Sequence, residues 1–518
     1  MSRRPGYPSY VLGVLVVVYT LNFLDRQIVT ILAEEIKRDL GVSDAQIGFL
    51  YGTAFAVFYA LFGIPLGRLA DLWTRRTLIA LGLSVWSLMT ALSGFARSFS
   101  ELAAARIGVG IGESSASPAA FSLLSDWFPP ARRATVLAIY SSGIYIGGGL
   151  GLMIGGQVVG RWNAAWAGSA PPLGLAGWQV AYLVVGLPGL LLAVWVRTLR
   201  EPARGASEGI LAPTEAHPFR EFLRELRAVI PPLTILHLAR EGGGARALRT
   251  NLLAALFVAG LAALLIYATG HVAQWVALGI GLYAALSWGQ ALRLRDRPTA
   301  KLVFGTPSLR FLCLGVACLA FTGYGVGGWT PPFFLRFHGV ELAEAGTILG
   351  ATAAAAGWLG VTLGGIVADR WRAAAPTGRL RLAALAAVAP VPLLVWMLTT
   401  ESTTLAYVLN FPVTALGSMW IGVGAATIQD LVLPRMRAMA SAFYLLVITF
   451  IGLALGPYSI GLVSDRLGDL RLAMLFALVA NGIGCVFVCL AARTLERDEA
   501  TRGARARAAG EPDDRAMG

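Results

Sequence analysis

Gly67-Arg68-Leu69-Ala70-Asp71 closes one long apolar run, and Gly365-Ile366-Val367-Ala368-Asp369 closes another 298 residues later. Each time the pattern Gly-x-x-x-Asp stands where an apolar stretch, about 46–70 or 345–368, gives way to arginines. A second pair, Pro130-Ala131-Arg132-Arg133 and Pro434-Arg435-Met436-Arg437, repeats at an offset of 304. Near-equal offsets at two separate loops mean that the chain consists of two similar halves joined in parallel.

Working outward, each half contains six apolar runs long enough to cross a bilayer, which takes about 20 residues. The first six lie near 10–33, 46–70, 77–96, 102–124, 134–160 and 177–197, the second six near 309–335, 345–368, 379–399, 404–431, 438–463 and 470–493. Two further runs, about 250–268 and 272–291, form an inserted hairpin. The composition agrees: 56% of the 518 residues are hydrophobic and only 14% charged, against about 25% charged in soluble domains. The net charge of +13 comes from arginines between the apolar runs, the mark of cytoplasmic loops rather than of a nucleic-acid surface. Arg75/Arg76, Arg132/Arg133, Arg197/Arg200, Arg370/Arg372 and Arg435/Arg437 all fall on one side, while Glu34, Glu35, Asp39, Glu101, Glu341 and Glu401 fall on the other. Both termini are therefore expected in the cytoplasm, and the hairpin must cross an even number of times or not at all. Lys37 and Lys301 are the only lysines, a bias of GC-rich bacterial genomes, so a bacterial inner membrane is the expected location. The first run lacks a small-residue cleavage site and is expected to stay in place as a span.

The resulting map has a six-span half over 1–199, a cytoplasmic linker over 200–249 with an amphipathic helix near 219–230, and the hairpin with its basic loop over 250–301. A second six-span half follows over 302–496, then a charged, Gly- and Ala-rich tail over 497–518 expected to be disordered.

Four ionisable residues interrupt the apolar runs: Asp25 and Arg26 in the first, Arg106 and Glu113 in the fourth. A charge at bilayer depth costs at least about 2.5–3.5 kcal/mol, so such residues mark polar cavities, ion paths or buried pairs. Adjacent residues point about 100° apart on a helix, so Asp25 and Arg26 address different neighbours; Arg106 and Glu113, nearly two turns apart, share a face. The second half has no counterpart. At the repeat offsets Asp25 falls opposite Gly323–Trp329 and Glu113 opposite Phe411–Gly417, windows without an acid. Tyr324, Trp329 and Thr330 stand there instead. An ionic side in one half and an aromatic side in the other would suit an amphipathic substrate; ordinary packing or an interfacial aromatic belt is the plainer reading of the aromatics, and structural ion pairing that of the charges.

The loop Gly67-x-x-x-Asp71-x-x-x-Arg75-Arg76 resembles the signature of the major facilitator superfamily, with Leu72 and Thr74 departing from its usual residues. Leu21-Asn22-Phe23-Leu24-Asp25-Arg26, Arg106-Ile-Gly-Val-Gly-Ile-Gly-Glu113-Ser114, Asp126-Trp-Phe, Trp329-Thr-Pro-Pro332 and Gly456-Pro-Tyr-Ser-Ile-Gly461 are similar to its spinster branch. That resemblance covers both halves but not residues 200–301. It implies an all-α polytopic membrane protein with two six-helix halves plus the inserted hairpin, alternating access, and a lysophospholipid or sphingoid-type lipid substrate. It also implies Asp25 and Glu113 as proton-sensitive carboxylates, Arg26 and Arg106 with Asn22 as charge partners or head-group ligands, and Gly67, Asp71, Arg75, Arg76, Asp126, Arg132 and Arg133 as a cytoplasmic gate. For the gate residues, charge topology alone explains the arginine excess equally well.

No Gly-x-x-x-x-Gly-Lys-Ser/Thr loop is present, which argues against ATP as the energy source. His217, His237, His271 and His338 are scattered, so no metal site is expected, and Cys313, Cys318, Cys485 and Cys489 fit as small apolar residues. No catalytic constellation and no cofactor are expected. The reading is a monomeric, proton-coupled secondary transporter, not an enzyme; a drug or organic-anion exporter, or a non-transporting membrane sensor or scaffold, are the alternatives.

Overall fold

The computed structural model describes residues 6–204, 217–240 and 244–511. Parts of the expected linker and the last residues of the expected tail lie outside them. The elements among the described residues are all helical, and thirteen are long and apolar enough to cross a membrane. In chain order they begin with α1 Tyr7–Ile31, α2 Asp44–Leu72 and α3 Arg75–Ser93. The fourth expected span comprises two helical segments, α4 Phe99–Glu113 and α5 Ala116–Trp127, and Ser114 and Ser115 between them keep right-handed helical backbone angles. Each segment by itself is shorter than the length that a span needs, so this run is not among the thirteen. Then come α6 Thr135–Ala165 and α7 Gly177–Arg197.

The insert contributes α8 Pro218–Val229, α9 Leu233–Arg240, α10 Gly244–Thr269 and α11 Val272–Arg295. The second half follows as α12 Arg297–Gly305, α13 Pro307–Phe337, α14 Leu342–Ala374, α15 Gly378–Thr399, α16 Thr403–Asp430, α17 Pro434–Leu467 and α18 Leu470–Ala500, with a closing α19 Arg502–Arg507.

Contacts divide the chain into two compact units: Met1–Leu226 with Gly328–Ala355, and Arg227–Gly327 with Ala356–Gly518. The cut does not follow the sequence halves, because one end each of α13 and α14 packs with the first-half helices. Glycine makes this possible. A Cβ on Gly149 of α6 would sit 2.4 Å from the Gly350 carbonyl of α14, and one on Gly346 would sit 2.5 Å from the Leu152 carbonyl. The other face of α6 meets α1, where a Cβ on Gly147 would fall 2.1 Å from the Thr20 carbonyl. The crowd of glycines in the fifth run thus serves two backbone-to-backbone crossings on opposite faces.

In the second unit the hairpin holds itself together. Tyr283 Oη donates to Asn251 Oδ1 at 2.6 Å, Asn251 Nδ2 donates to Ser287 Oγ at 2.9 Å and Gln290 Oε1 at 3.1 Å, and Gln290 Nε2 donates to the Ala247 carbonyl at 2.6 Å. Thr234 of α9 joins through Tyr283 at 3.0 Å. Buried polar groups in a bilayer need such partners. Away from this ladder α10 is apolar and exposed, with Leu253, Phe257 and Tyr267 facing outward. At the hairpin tip His271 Nδ1 lies 2.9 Å from Tyr458 Oη, and Arg466 donates to the Ala268 carbonyl at 3.1 Å.

Over residues 497–511 the structure corrects the expectation of disorder; the rest of 497–518 lies outside the described residues. α18 continues to Ala500, α19 follows, and Ala506 is fully buried. The charges that read as solvated find partners: Asp498 accepts from the Ser308 backbone at 2.9 Å, Arg505 donates to Thr306 at 2.8 Å, and Arg435 bridges Asp296 at 2.7 Å and Glu511. Composition alone cannot reveal such long-range partners.

Adjacent glycines test the crossing. Gly147→Ala is expected to cost about 1–3 kcal/mol of stability by overpacking, whereas Gly148→Ala, with nothing within 4 Å of its added Cβ, is expected to be near neutral. Thermal melting of the two purified variants measures the difference; equal melting temperatures would refute the close-crossing account.

Candidate functional site

The four intramembrane charges converge in the first unit. Arg26 Nη2 donates to Glu113 Oε2 at 2.8 Å and reaches Asn22 Oδ1 at 3.5 Å. Its guanidinium lies over the rings of Phe55 at 4.3 Å, Phe23 at 4.6 Å and Tyr59 at 5.1 Å. Glu113 is fully buried and the Arg26 side chain 11% exposed. The aromatic cage adds attraction to a cation whose hydration has been stripped away.

Asp25 turns elsewhere, as the 100° step requires. Thr90 of α3 donates to Asp25 Oδ2 at 3.2 Å. Arg106 does not pair with the Asp25 carboxylate. It donates instead to the Asp25 backbone carbonyl at 3.0 Å and to the Leu50 carbonyl at 3.4 Å. Asp25 Oδ1 and Arg106 Nη2 are both buried with no hydrogen-bond partner in the protein. Glu113 and Arg106 are nevertheless the charged neighbours that act on Asp25. The site therefore holds one direct ion pair, Arg26–Glu113, in which Glu113 Oε1 has no hydrogen-bond partner, beside an acid and a base that are each only partly satisfied. An unmatched buried ion is costly, so this second couple has capacity left for a proton, a water or a charged ligand.

Close helix approach builds this geometry. A Cβ on Gly110 would meet the Phe55 carbonyl at 2.6 Å, and one on Gly112 the Trp86 backbone nitrogen at 2.7 Å. These glycines let α4 lie against α2 and α3, which brings Glu113 level with Arg26.

The aromatic candidates occupy other places. Trp329 is buried beside Arg336, whose guanidinium lies 5.7 Å from its ring, and Thr330 is buried next to it. Both belong to the first unit, whereas Tyr324 packs against the apolar core of the second. Arg336 is the centre of a cluster that the sequence did not single out: it donates to Glu34 Oε1 at 2.6 and 2.8 Å and to Asp44 at 2.7 Å through two nitrogens. Lys37 also pairs with Asp44.

The gate residues divide as well. Arg75 is fully buried and bonded to Asp126, to Glu201 at 2.8 Å, to Ser122 Oγ at 3.0 Å and to the Pro202 carbonyl at 3.0 Å. Arg76 donates its backbone N–H to Glu201 at 3.0 Å, and Arg133 donates to the Ser125 carbonyl at 3.0 Å. Arg132 is exposed. Asp71 has Arg68, Arg204 and Arg75 as charged neighbours. Arg204 caps the end of α2 through the Ala70 carbonyl at 2.8 Å, and burial, with Arg75 close by, lowers its pKa from the usual guanidinium value. A Cβ on Gly67 would meet only Pro118, at 3.9 Å, so this glycine is not forced by crowding. These residues belong to the first unit.

The other unit repeats the network. Arg379 pairs with Asp430 at 2.7 Å and Asp369 at 2.9 Å, and Arg372 pairs with Glu499 at 2.8 Å. Arg379 and Asp430 stand 304 residues after Arg75 and Asp126, and Glu499 stands 298 after Glu201. Asp430, Glu201 and Glu499 were legible through the repeat offsets; Thr90, Phe55 and Tyr59 carried no signal of their own.

Residues 15–457 match the family profile described as the Major Facilitator Superfamily. An MFS-type efflux pump of Mycolicibacterium smegmatis is 28% identical over 493 residues, covering 94% of this chain and 93% of that protein. Human protein spinster homolog 1 is 27% identical over 484 residues, covering 89% of this chain and 74% of the relative. A crystal structure of a bacterial homologue of the human lysosomal transporter spinster, inward-facing and occupied, superposes with a TM-score of 0.70 at 26% identity, covering 96% of this chain and 99% of that one. A D-xylose-proton symporter, at 15% identity and a TM-score of 0.59, shares the fold.

A double-mutant cycle tests the direct pair. Glu113→Gln and Arg26→Gln are each expected to destabilise by about 3 kcal/mol, because each leaves its partner buried without a counter-charge. The double variant is expected to lose about 1–3 kcal/mol less than the sum of the two. Strictly additive losses in unfolding measurements would contradict a coupled pair.

Proposed function

The chain belongs to the Major Facilitator Superfamily, and from that premise we propose that this alternating-access transporter is driven by protons and moves an amphipathic lipid with an ionic head group, of the lysophospholipid or sphingoid class. The observation that carries the proposal is the inequality of the two buried carboxylates. Each has one buried oxygen without a hydrogen-bond partner, but Glu113 is ion-paired with Arg26 at 2.8 Å, whereas the Asp25 carboxylate is met by one hydroxyl donor, Thr90. Asp25 is the carboxyl assigned to take up and release the proton; Glu113 is the counter-ion whose displacement would free Arg26 for an anionic head group.

The coupling follows from linkage. A proton shifts a two-state equilibrium only by its difference in affinity for the two states. Arg106 is bonded to the carbonyls of Asp25 and Leu50, so any motion of α1 or α2 against α4 changes the field at Asp25. The arginine-rich ends would face the cytoplasm of a bacterial cell, with the Arg336–Glu34–Asp44 cluster at the opposite end. That cluster and the Gly149–Gly350 crossing join the ends of α13 and α14 to the first-half helices.

A second reading is export of small organic molecules. The efflux pump from M. smegmatis favours it, since that similarity runs almost end to end in both chains. The two readings share the coupling site and differ in cargo.

Proteoliposomes with an imposed pH gradient, loaded in parallel with a fluorescent lysophospholipid and with a cationic dye, separate them. Gradient-driven accumulation of the lipid is expected, falling at least about tenfold in Asp25→Asn while gradient-free exchange persists. Dye accumulation without lipid movement would favour the exporter. Unchanged gradient-driven accumulation in Asp25→Asn would remove Asp25 from the mechanism.

A further inference from the structure

The helix α8 offers an exposed surface that the transport site does not use. On a helical wheel at about 100° per residue, Phe219 and Leu223 fall on one arc, and Arg227, Arg220 and Arg224 on the arc beside it. All five are exposed, Phe219 by 51% and Leu223 by 46%. The rest of the helix is anchored: Ala228 and Val229 are buried, and Phe222 and Leu226, the latter beside Phe219 on the wheel, are half-buried. The exposed strip therefore has an apolar edge and a cationic edge, on which Arg224 also lies 3.8 Å from Glu221.

Its depth is fixed by a ring contact. Phe219 meets Trp73 edge-on at 5.0 Å, and Trp73 is the residue that ends α2. A tryptophan directly after an apolar span lies at the boundary between acyl chains and head groups. The N-terminal end of α8 is thus held at that level. A cavity of about 350 Å³, lined by His217, Pro218, Phe219 and Arg220, opens beside it. Apolar side chains at the acyl boundary and guanidiniums on the flank make an interfacial helix.

We propose that α8 binds the anionic phospholipid surface of its own leaflet, with Arg220 and Arg224 on the phosphodiester groups, Phe219 and Leu223 in the acyl boundary, and a head group in the cavity at His217–Arg220. Charge complementarity selects acidic over zwitterionic lipid, because cationic residues at such a surface add attraction one by one within a Debye length.

Hydrogen exchange of the full-length protein, read over residues 218–229 in phosphatidylcholine vesicles with and without phosphatidylglycerol, tests the proposal. Exchange is expected to be roughly fivefold slower with phosphatidylglycerol at low salt, and the difference is expected to shrink as salt screens it. In Arg220→Gln/Arg224→Gln the difference should vanish while exchange in α3 stays unchanged. Equal exchange in the two vesicles would overturn the proposal. So would lipid-dependent protection that survives in the variant, or the same protection from soluble glycerol phosphate in plain phosphatidylcholine.

Discussion

A guanidinium placed at membrane depth must be matched by a charge or by polar groups, and the first half of this protein is arranged around that requirement. Arg26 is matched by Glu113, by Asn22 and by three aromatic faces; Arg106 is matched only in part, by two backbone carbonyls. Bringing these partners together demands that α4 approach α2 and α3 closely, and Gly110 and Gly112 permit it. Glu113 stands at the end of α4, directly before Ser114 and Ser115, whose backbone angles stay helical.

The same requirement operates at the helix ends with a different solution. Arg75 and Arg379 each sit in a nest of carboxylates inside their own unit. The duplicated halves have kept this network while diverging in the membrane interior, where the second half has no acid at the positions equivalent to Asp25 and Glu113. Loop corners solve a problem common to both halves, namely holding successive helices in register. The interior charges stand in the first half.

Much of this was legible in the sequence, because the physics concerned is one-dimensional. Apolar runs of span length, arginines gathered on alternate loops and the 298–304 offset are properties of a linear chain, and they gave twelve spans in two halves together with the inserted hairpin. The 100° separation of Asp25 and Arg26 was likewise readable, and the two side chains do address different partners. Other features needed three dimensions. Arg106 on the backbone of α1, Thr90 on Asp25 and Phe55 beneath Arg26 depend on which helix faces which. Trp329 and Thr330, expected on the substrate-facing side, are buried near the Arg336 cluster, because one end of α13 packs with the first unit. The tail defied its composition, since Asp498 and Arg505 find partners near residue 306 that no local pattern could announce.

The inserted hairpin carries its own polar ladder through Asn251, Tyr283, Ser287 and Gln290, and it touches α17 at its tip through His271 and Arg466. A pair of rods bonded internally and pinned at the far end behaves as an outrigger. Tilting α17 would swing the greasy flank of α10 through the surrounding lipid, so viscous drag and lateral pressure in the bilayer become forces on the transport cycle itself.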